Sequence, residues 1–330
     1  MMRFELSQRS SMKPVFAQSL LTRRAFNGGL AGIAGMLPLG GVPRRAWATH
    51  GFSVGHLSVT VISDGTLSLP LSFILPQADR KDVESLLGTG AALEAALKSE
   101  VNVALVKAGD ATVLIDTGAG PDFMSGLGKH ADALEAAGIA ADSVTHVIFT
   151  HAHADHLWGV IDPLDGGTRF PKARHLMTAV ERDFWTAPDA ETRVPEAMKG
   201  MAIGTARRLK TLADRIETIE PGTELVSGLA LVDTAGHTPG HVSVRLQSGG
   251  STLLIGGDVL THRIVSFERP EWRWGADMDP DKAISARRRT LDMLASERMP
   301  LLGYHLPWPG LGRVERQGAG YRFVAGASAE

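Results

Sequence analysis

The chain has 330 residues, 44% hydrophobic and 21% charged, with a formal net charge of −2. That balance suits a soluble globular protein with a sizeable core, organised as one large domain or two small ones. Cysteine is absent, which excludes disulfides, thiol nucleophiles and thiolate-held metals and leaves His, Asp and Glu to hold any metal.

Taken in order, residues 1–48 read as an export signal. Thr22-Arg23-Arg24-Ala25-Phe26 is a twin-arginine pattern, Leu30 to Val42 is weakly apolar and Gly-rich, and Ala46-Trp47-Ala48 offers a small-x-small cleavage site. The stretch is too short and too broken by Gly and Pro to span a membrane. It implies the twin-arginine export machinery as a partner, passage of an already folded protein and a periplasmic or secreted destination. Residues 1–48 hold seven Lys/Arg and one acid, leaving 27 basic and 35 acidic residues and a net charge of −8, which argues against a nucleic-acid partner.

Residues 49–330 show no linker strong enough to divide them and are expected to form a single domain. Leu57 to Ile62 and Leu67 to Leu69 alternate around Asp64-Gly65, the pattern of a hairpin. Residues 79–98 read as helix, interrupted near Gly88 and Gly90. Val101 to Lys107 and Thr112 to Ile115 are strands joined around Gly109-Asp110, and Lys129 to Ala137 is a helix closed by Gly138. Val144 to Thr150 is a β-branched run that reads as a buried strand. Ala173 to Met177 is a strand and Ala179 to Trp185 a helix. Residues 186–215 read as an insertion with some helix, a lid or an interface, with Arg207, Arg208 and Lys210 on a solvated face. Strands return at Leu229 to Thr234, Val242 to Leu246 and Thr252 to Ile255. Residues 280–297 form a helix with Ile284, Leu291 and Leu294 inward and Arg287 to Arg289 on the wet side. A last strand runs from Met299 to Gly303. Short strands in both halves, each half closed by helix, indicate a duplicated α/β sandwich with helices outside.

The strand ends carry the chemistry. His151-Ala152-His153-Ala154-Asp155-His156 packs three imidazoles and a carboxylate into six residues directly after a buried strand. Gly236-His237-Thr238-Pro239-Gly240-His241, Gly256-Gly257-Asp258 and Tyr304-His305 end three further strands. Imidazole nitrogen and carboxylate oxygen suit zinc and similar divalent cations, with Mn, Fe and Co also admissible. Seven such side chains suffice for two metals, and Asp258 is the natural bridge because a carboxylate can offer one oxygen to each.

This motif series resembles the metallo-β-lactamase superfamily over roughly residues 55 to 325. The ending His305-Leu306-Pro307-Trp308-Pro309-Gly310, followed by Gly320-Tyr321-Arg322-Phe323, is similar to the methyl parathion hydrolase group, whose relatives are lactonases and aryl esterases. The resemblance implies an αββα fold of two mixed β-sheets flanked by helices, a single catalytic domain over 49–330, and two divalent metal ions, zinc foremost, at the sandwich edge. It puts His151, His153 and His237 on one metal and Asp155, His156 and His305 on the other, with Asp258 bridging. Asp116 takes a supporting position that orients a metal-bound His, and His241 a structural hydrogen bond. A homodimer is also implied. The implied reaction is hydrolysis of a lactone or an aryl or carboxylic ester by a hydroxide shared between the metals, with Asp258 or Asp155 relaying the proton. The alternative is a phosphotriesterase acting on organophosphates. A di-iron redox scaffold is disfavoured, since the cluster lacks Glu and the chain lacks room for a flavin domain. Leu69, Phe123 and Trp185 are the candidate substrate-pocket residues, within a wider apolar set of Leu71, Phe73, Trp272 and Trp274. Tyr304 neighbours His305 and is a candidate catalytic tyrosine of the kind seen in some related lactonases, although strand alternation would point it away from the site.

Overall fold

The computed structural model describes residues 49–326; the export signal read over residues 1–48 lies outside them. Two seven-stranded sheets face each other among the described residues. In the first, β1 (Thr49–Val54), β2 (Leu57–Ser68), β3 (Lys98–Ala108), β4 (Ala111–Ile115), β5 (His146–Ile148), β6 (Arg174–Met177) and β7 (Ile216–Thr218) lie side by side in chain order. The second contains β8 (Glu224–Val226), β9 (Leu229–Asp233), β10 (Val242–Ser248), β11 (Ser251–Ile255), β12 (Leu301–Leu302), β13 (Leu311–Gln317) and β14 (Gly320–Ala325), again in chain order. Helices α1 (Leu71–Ile74), α2 (Arg80–Leu87), α3 (Ala91–Ala96), α4 (His130–Ala136), α5 (Ala154–Leu157), α6 (Ala179–Thr186), α7 (Lys199–Thr211), α8 (Val265–Glu268) and α9 (Pro280–Glu297) complete the αββα sandwich that the motifs implied.

Alternation along the strands sorts side chains into layers. On β4, Val113 and Ile115 face the second sheet, where they meet Val244, Leu253 and Ile255. Leu114 between them faces outward into a cluster with Leu134 of α4 and Leu209 of α7. Both faces are therefore covered, and each fully buried Leu or Ile contributes about 1.5–3 kcal/mol. On the far side, Leu254 and Leu301 pack against Leu291 and Leu294 of α9. That helix starts as its sequence predicts, with Asp279 accepting the Lys282 N–H at 3.1 Å and Pro280 in the first turn.

Each sheet changes from antiparallel to parallel pairing at one place: β4 to β5 in the first and β11 to β12 in the second. The carboxyl ends of these four strands leave at one rim of the sandwich, the position where open α/β sheets form crevices.

Three expectations fail for identifiable reasons. Asp64-Gly65 makes no hairpin turn but a bulge inside the continuous β2. The Asp64 carboxylate is buried and accepts N–H bonds from Ala119, Gly128 and His130, so it binds the loop after β4 rather than turning the chain. Arg208 is not solvated: its guanidinium lies 3.9 Å over the Trp158 ring and pairs with Asp122. Arg287 also leaves the wet side of α9 and is buried against Asp277, whereas Ile284 is half-buried. A long Arg stem packs like an apolar side chain, so periodicity places it outside while a buried carboxylate or an aromatic face draws it in.

Candidate metal centre

β5 delivers the chain into Thr150-His151, and α5 begins at Ala154, so the six-residue cluster folds as a tight loop and a single helical turn. The structure gathers two groups of ligand atoms: His151, His153, His237 and Asp258 in one, and Asp155, His156 and His305 in the other, the atoms of each lying within 4.8 Å of one another. Asp258 stands between them. Its Oδ2 is 3.2 Å from His237 Nε2 and 3.9 Å from His151 Nε2. Its Oδ1 is 3.2 Å from His156 Nε2 and 3.3 Å from His305 Nε2. Asp155 Oδ2 lies 3.3 Å from His305 Nε2.

The chemistry of this set fits two divalent cations. The buried atoms His151 Nε2, His156 Nε2 and Asp258 Oδ1 make no aligned hydrogen bond despite these close approaches, although buried polar atoms are nearly always satisfied. His153 Nδ1 and His237 Nε2 face each other at 3.0 Å. Burial opposes a charge on His156 and His237. Asp258, Asp116 and Asp155 nevertheless raise His156 to about 10, and Asp258 and Asp277 raise His237 to about 9. The rim is thus a concentrated negative field that favours positive charge, whether protons on these imidazoles or a cation in their place.

The outer nitrogens are fixed separately. His156 Nδ1 donates to Asp116 at 2.8 Å, and Asp116 also accepts the Thr150 N–H and hydroxyl. Asp116 holds a left-handed φ of 62° at the end of β4, so its place is set by these bonds rather than by backbone preference. His151 Nδ1 lies 3.1 Å from the Thr150 hydroxyl, and His305 Nδ1 donates to the Glu100 carbonyl at 2.9 Å. His237 Nδ1 donates to Asp277 at 2.9 Å. His241 packs against the cluster without joining the gathered ligand atoms; its Nε2 accepts the Asp258 N–H at 2.9 Å and its Nδ1 meets Thr234, the structural bond expected of it.

The motif glycines are required by close approach. At Gly236, with φ +139°, a Cβ would come within 2.2 Å of the Ala283 nitrogen in α9. At Gly240 it would come within 2.4 Å of the Glu181 nitrogen in α6. The loop carrying His237 is therefore wedged between two helices.

Glu181 is a residue that the motif reading did not find. Its buried carboxylate accepts the N–H groups of Ala152 and Gly240 at 2.9 Å each and the Trp185 indole N–H at 2.6 Å. It ties the loop of the first sheet to the loop of the second. Its signal is faint: a Glu four residues before a Trp on a predicted helix. Asp277 and Arg287 had no signal, because they lie in a loop and on a helix face far from any motif.

A cavity of about 60 Å³ over His153, Asp155, Asp258 and His305 adjoins a wider one of about 500 Å³. Leu69 and Phe123 line the wider cavity with Phe73, Met124, Met198 and Met201. Trp185 does not. It is fully buried beneath His153, ring centroids 5.7 Å apart, and its polar edge is taken by Glu181. Of the wider apolar set, Phe73 and Trp274 reach these cavities. Tyr304 is buried, stacks on His156 at 3.9 Å and donates its hydroxyl to the Asp155 carbonyl. The segment read as an insertion supplies α7 and, through Ala197, Met198 and Met201, one wall of the cavity.

A family model described as the metallo-beta-lactamase superfamily matches residues 98–305. A probable metallo-hydrolase of Mycobacterium tuberculosis, Rv2300c, is 30% identical over 190 residues, which are 49% of this chain and 57% of that protein. The chain thus spans little more than half the length of the curated relatives it matches first. Among solved structures, AidC is described as a dizinc quorum-quenching lactonase in complex with a product, N-hexanoyl-L-homoserine. It superposes with a TM-score of 0.79 at 25% identity, covering 86% of this chain and 98% of AidC. AbOPH, described as a hydrolase in the beta lactamase superfamily, gives 0.77 at 27% identity, covering 85% and 98%.

Proposed function

Because this chain belongs to the metallo-beta-lactamase superfamily, we propose that it is a dinuclear metal-dependent hydrolase of lactones and of aryl or carboxylic esters. Two divalent cations, zinc foremost, would activate water at neutral pH and polarise the substrate oxygen. His151, His153 and His237 would hold one, Asp155, His156 and His305 the other, with Asp258 shared. Asp155 borders both the small cavity and the wide one, whereas Asp258 borders only the small one. Asp155 is therefore the better placed to pass a proton to the leaving oxygen. Tyr304 takes no part, since its hydroxyl is spent on the Asp155 carbonyl.

The observation that carries the ester reading is the wide apolar cavity of about 500 Å³ opening directly onto His153 and Asp155. Leu69, Phe73, Phe123 and Met201 would take an acyl or aryl group there. The likeness to AidC supports a lactone as the first substrate to try. The twin-arginine pattern supports export to the periplasm, and N-terminal sequencing of the exported protein tests it, with Thr49 expected first.

The deciding experiment compares kcat/KM of metal-analysed protein on dihydrocoumarin, an aryl acetate and methyl parathion, with Asp258→Ala as control. A preference for the lactone above about 100-fold, roughly 2.7 kcal/mol of transition-state stabilisation, is the expected result. A preference for methyl parathion assigns the protein to phosphotriester cleavage instead. Inertness toward all three with two cations bound removes the ester reading.

A further inference from the structure

The two ligand groups look alike in composition but sit in different electrical surroundings. The second contains a carboxylate of its own, Asp155, and its His156 leans on Asp116, whose remaining bonds come from the neutral Thr150 N–H and hydroxyl. The first consists of three imidazoles and the shared Asp258. Its His237 also leans on a buried carboxylate, Asp277, but Arg287 donates to the other oxygen of that carboxylate at 2.7 Å. The guanidinium is fixed there by two further bonds, to the carbonyls of Pro270 and Trp272 at 3.0 Å each, and both side chains are buried. His156–Asp116 is thus a pair with a net negative charge behind it, while His237–Asp277–Arg287 is closed off by a positive one. A carboxylate behind a ligating imidazole strengthens the imidazole as a donor, and a guanidinium on that carboxylate draws the effect away.

Resting on the dinuclear reading above, we propose that Arg287 makes the two cation positions unequal: it weakens the His151, His153 and His237 position, which releases its cation first and exchanges it more readily. Arg287 touches neither a candidate ligand nor the cavities; it acts through Asp277 and is a positioning residue. The protein would then keep one cation firmly and hold the other on terms set by the surrounding metal supply.

The test is chelator competition on the full zinc-loaded protein, with zinc content measured after gel filtration. The cobalt-loaded protein, followed by visible absorption, serves as a second readout. Wild type should lose two equivalents in two steps separated by at least tenfold in chelator concentration. His237→Ala should lack the weaker step and keep the stronger. Arg287→Gln should bring the first step toward the second by about tenfold, the scale on which groups supporting a ligand act, whereas Arg287→Lys should retain most of the wild-type spacing. Asp277→Asn should move the first step the other way, which keeps the proposal testable if Arg287→Gln does not fold. Loss of both equivalents in one step, or a folded Arg287→Gln with unchanged spacing, overturns the inference. Binding of fewer than two equivalents by wild type overturns the dinuclear reading beneath it.

Discussion

On the first sheet, four candidate ligands occupy six consecutive residues, and two of them share one brace, the Thr150–Asp116 pair that meets both His151 and His156. On the second sheet, His237, Asp258 and His305 leave three separate strand ends, and each has its own support: Asp277, His241 and the Glu100 carbonyl. A dense cluster stabilises itself through common partners. Dispersed ligands are each held by a different part of the fold, so disturbing one need not disturb the next. Glu181 is the exception, since it bonds to the loops of both sheets.

The comparison can be broken first where the two sides meet. Asp258→Ala removes the carboxylate shared by both groups, and on the proposed function the hydrolysis rate should fall by about 10³-fold or more, some 4 kcal/mol of barrier. Zinc analysis should show the loss of at least one equivalent. Glu181→Ala strands three buried N–H donors and should destabilise the protein by about 3–5 kcal/mol in urea unfolding. Glu181→Gln, which keeps an acceptor oxygen, should recover part of that. Asp116→Asn weakens the shared brace of the dense side and should reduce kcat about 10- to 100-fold, with both cation positions loosened in zinc analysis. A change confined to one position would show that the brace is not shared. Arg208→Ala frees Trp158 and α7, whose Met201 lines the wider cavity, without removing a candidate ligand. It should cost about 1 kcal/mol in stability and raise KM while leaving zinc content at the wild-type level, which dialysis and metal analysis would check.

The same contrast explains what could be read in advance. The residues of the dense cluster, and those at Gly236 to His241, Asp258 and His305, are legible because ligand atoms at strand ends have few other uses, and all seven meet in the structure. The strands beneath them are legible from alternation. What was not legible depends on contacts between distant segments. Trp185 reads as a pocket aromatic from its neighbourhood in sequence, yet the neighbouring turn of α6 places its indole N–H on Glu181 and its ring under His153. Arg287 and Arg208 read as wet because charge on a helix usually is, and the partners that bury them, Asp277 and Trp158, lie 10 and 50 positions away. Asp64-Gly65 has the composition of a turn, but the N–H groups of the Gly118–His130 loop make it a bulge.

The strands of each sheet lie in chain order, so one sheet is wholly contributed by residues up to Thr218 and the other by residues from Glu224 onward. A scission between those two residues would leave each fragment with all the strands of one sheet and only part of the ligand set: His151, His153, Asp155 and His156 on one, His237, Asp258 and His305 on the other. On the proposed dinuclear reading, neither piece alone would hold both cations, and hydrolysis would be expected only from the two pieces reassembled, as in a split reporter.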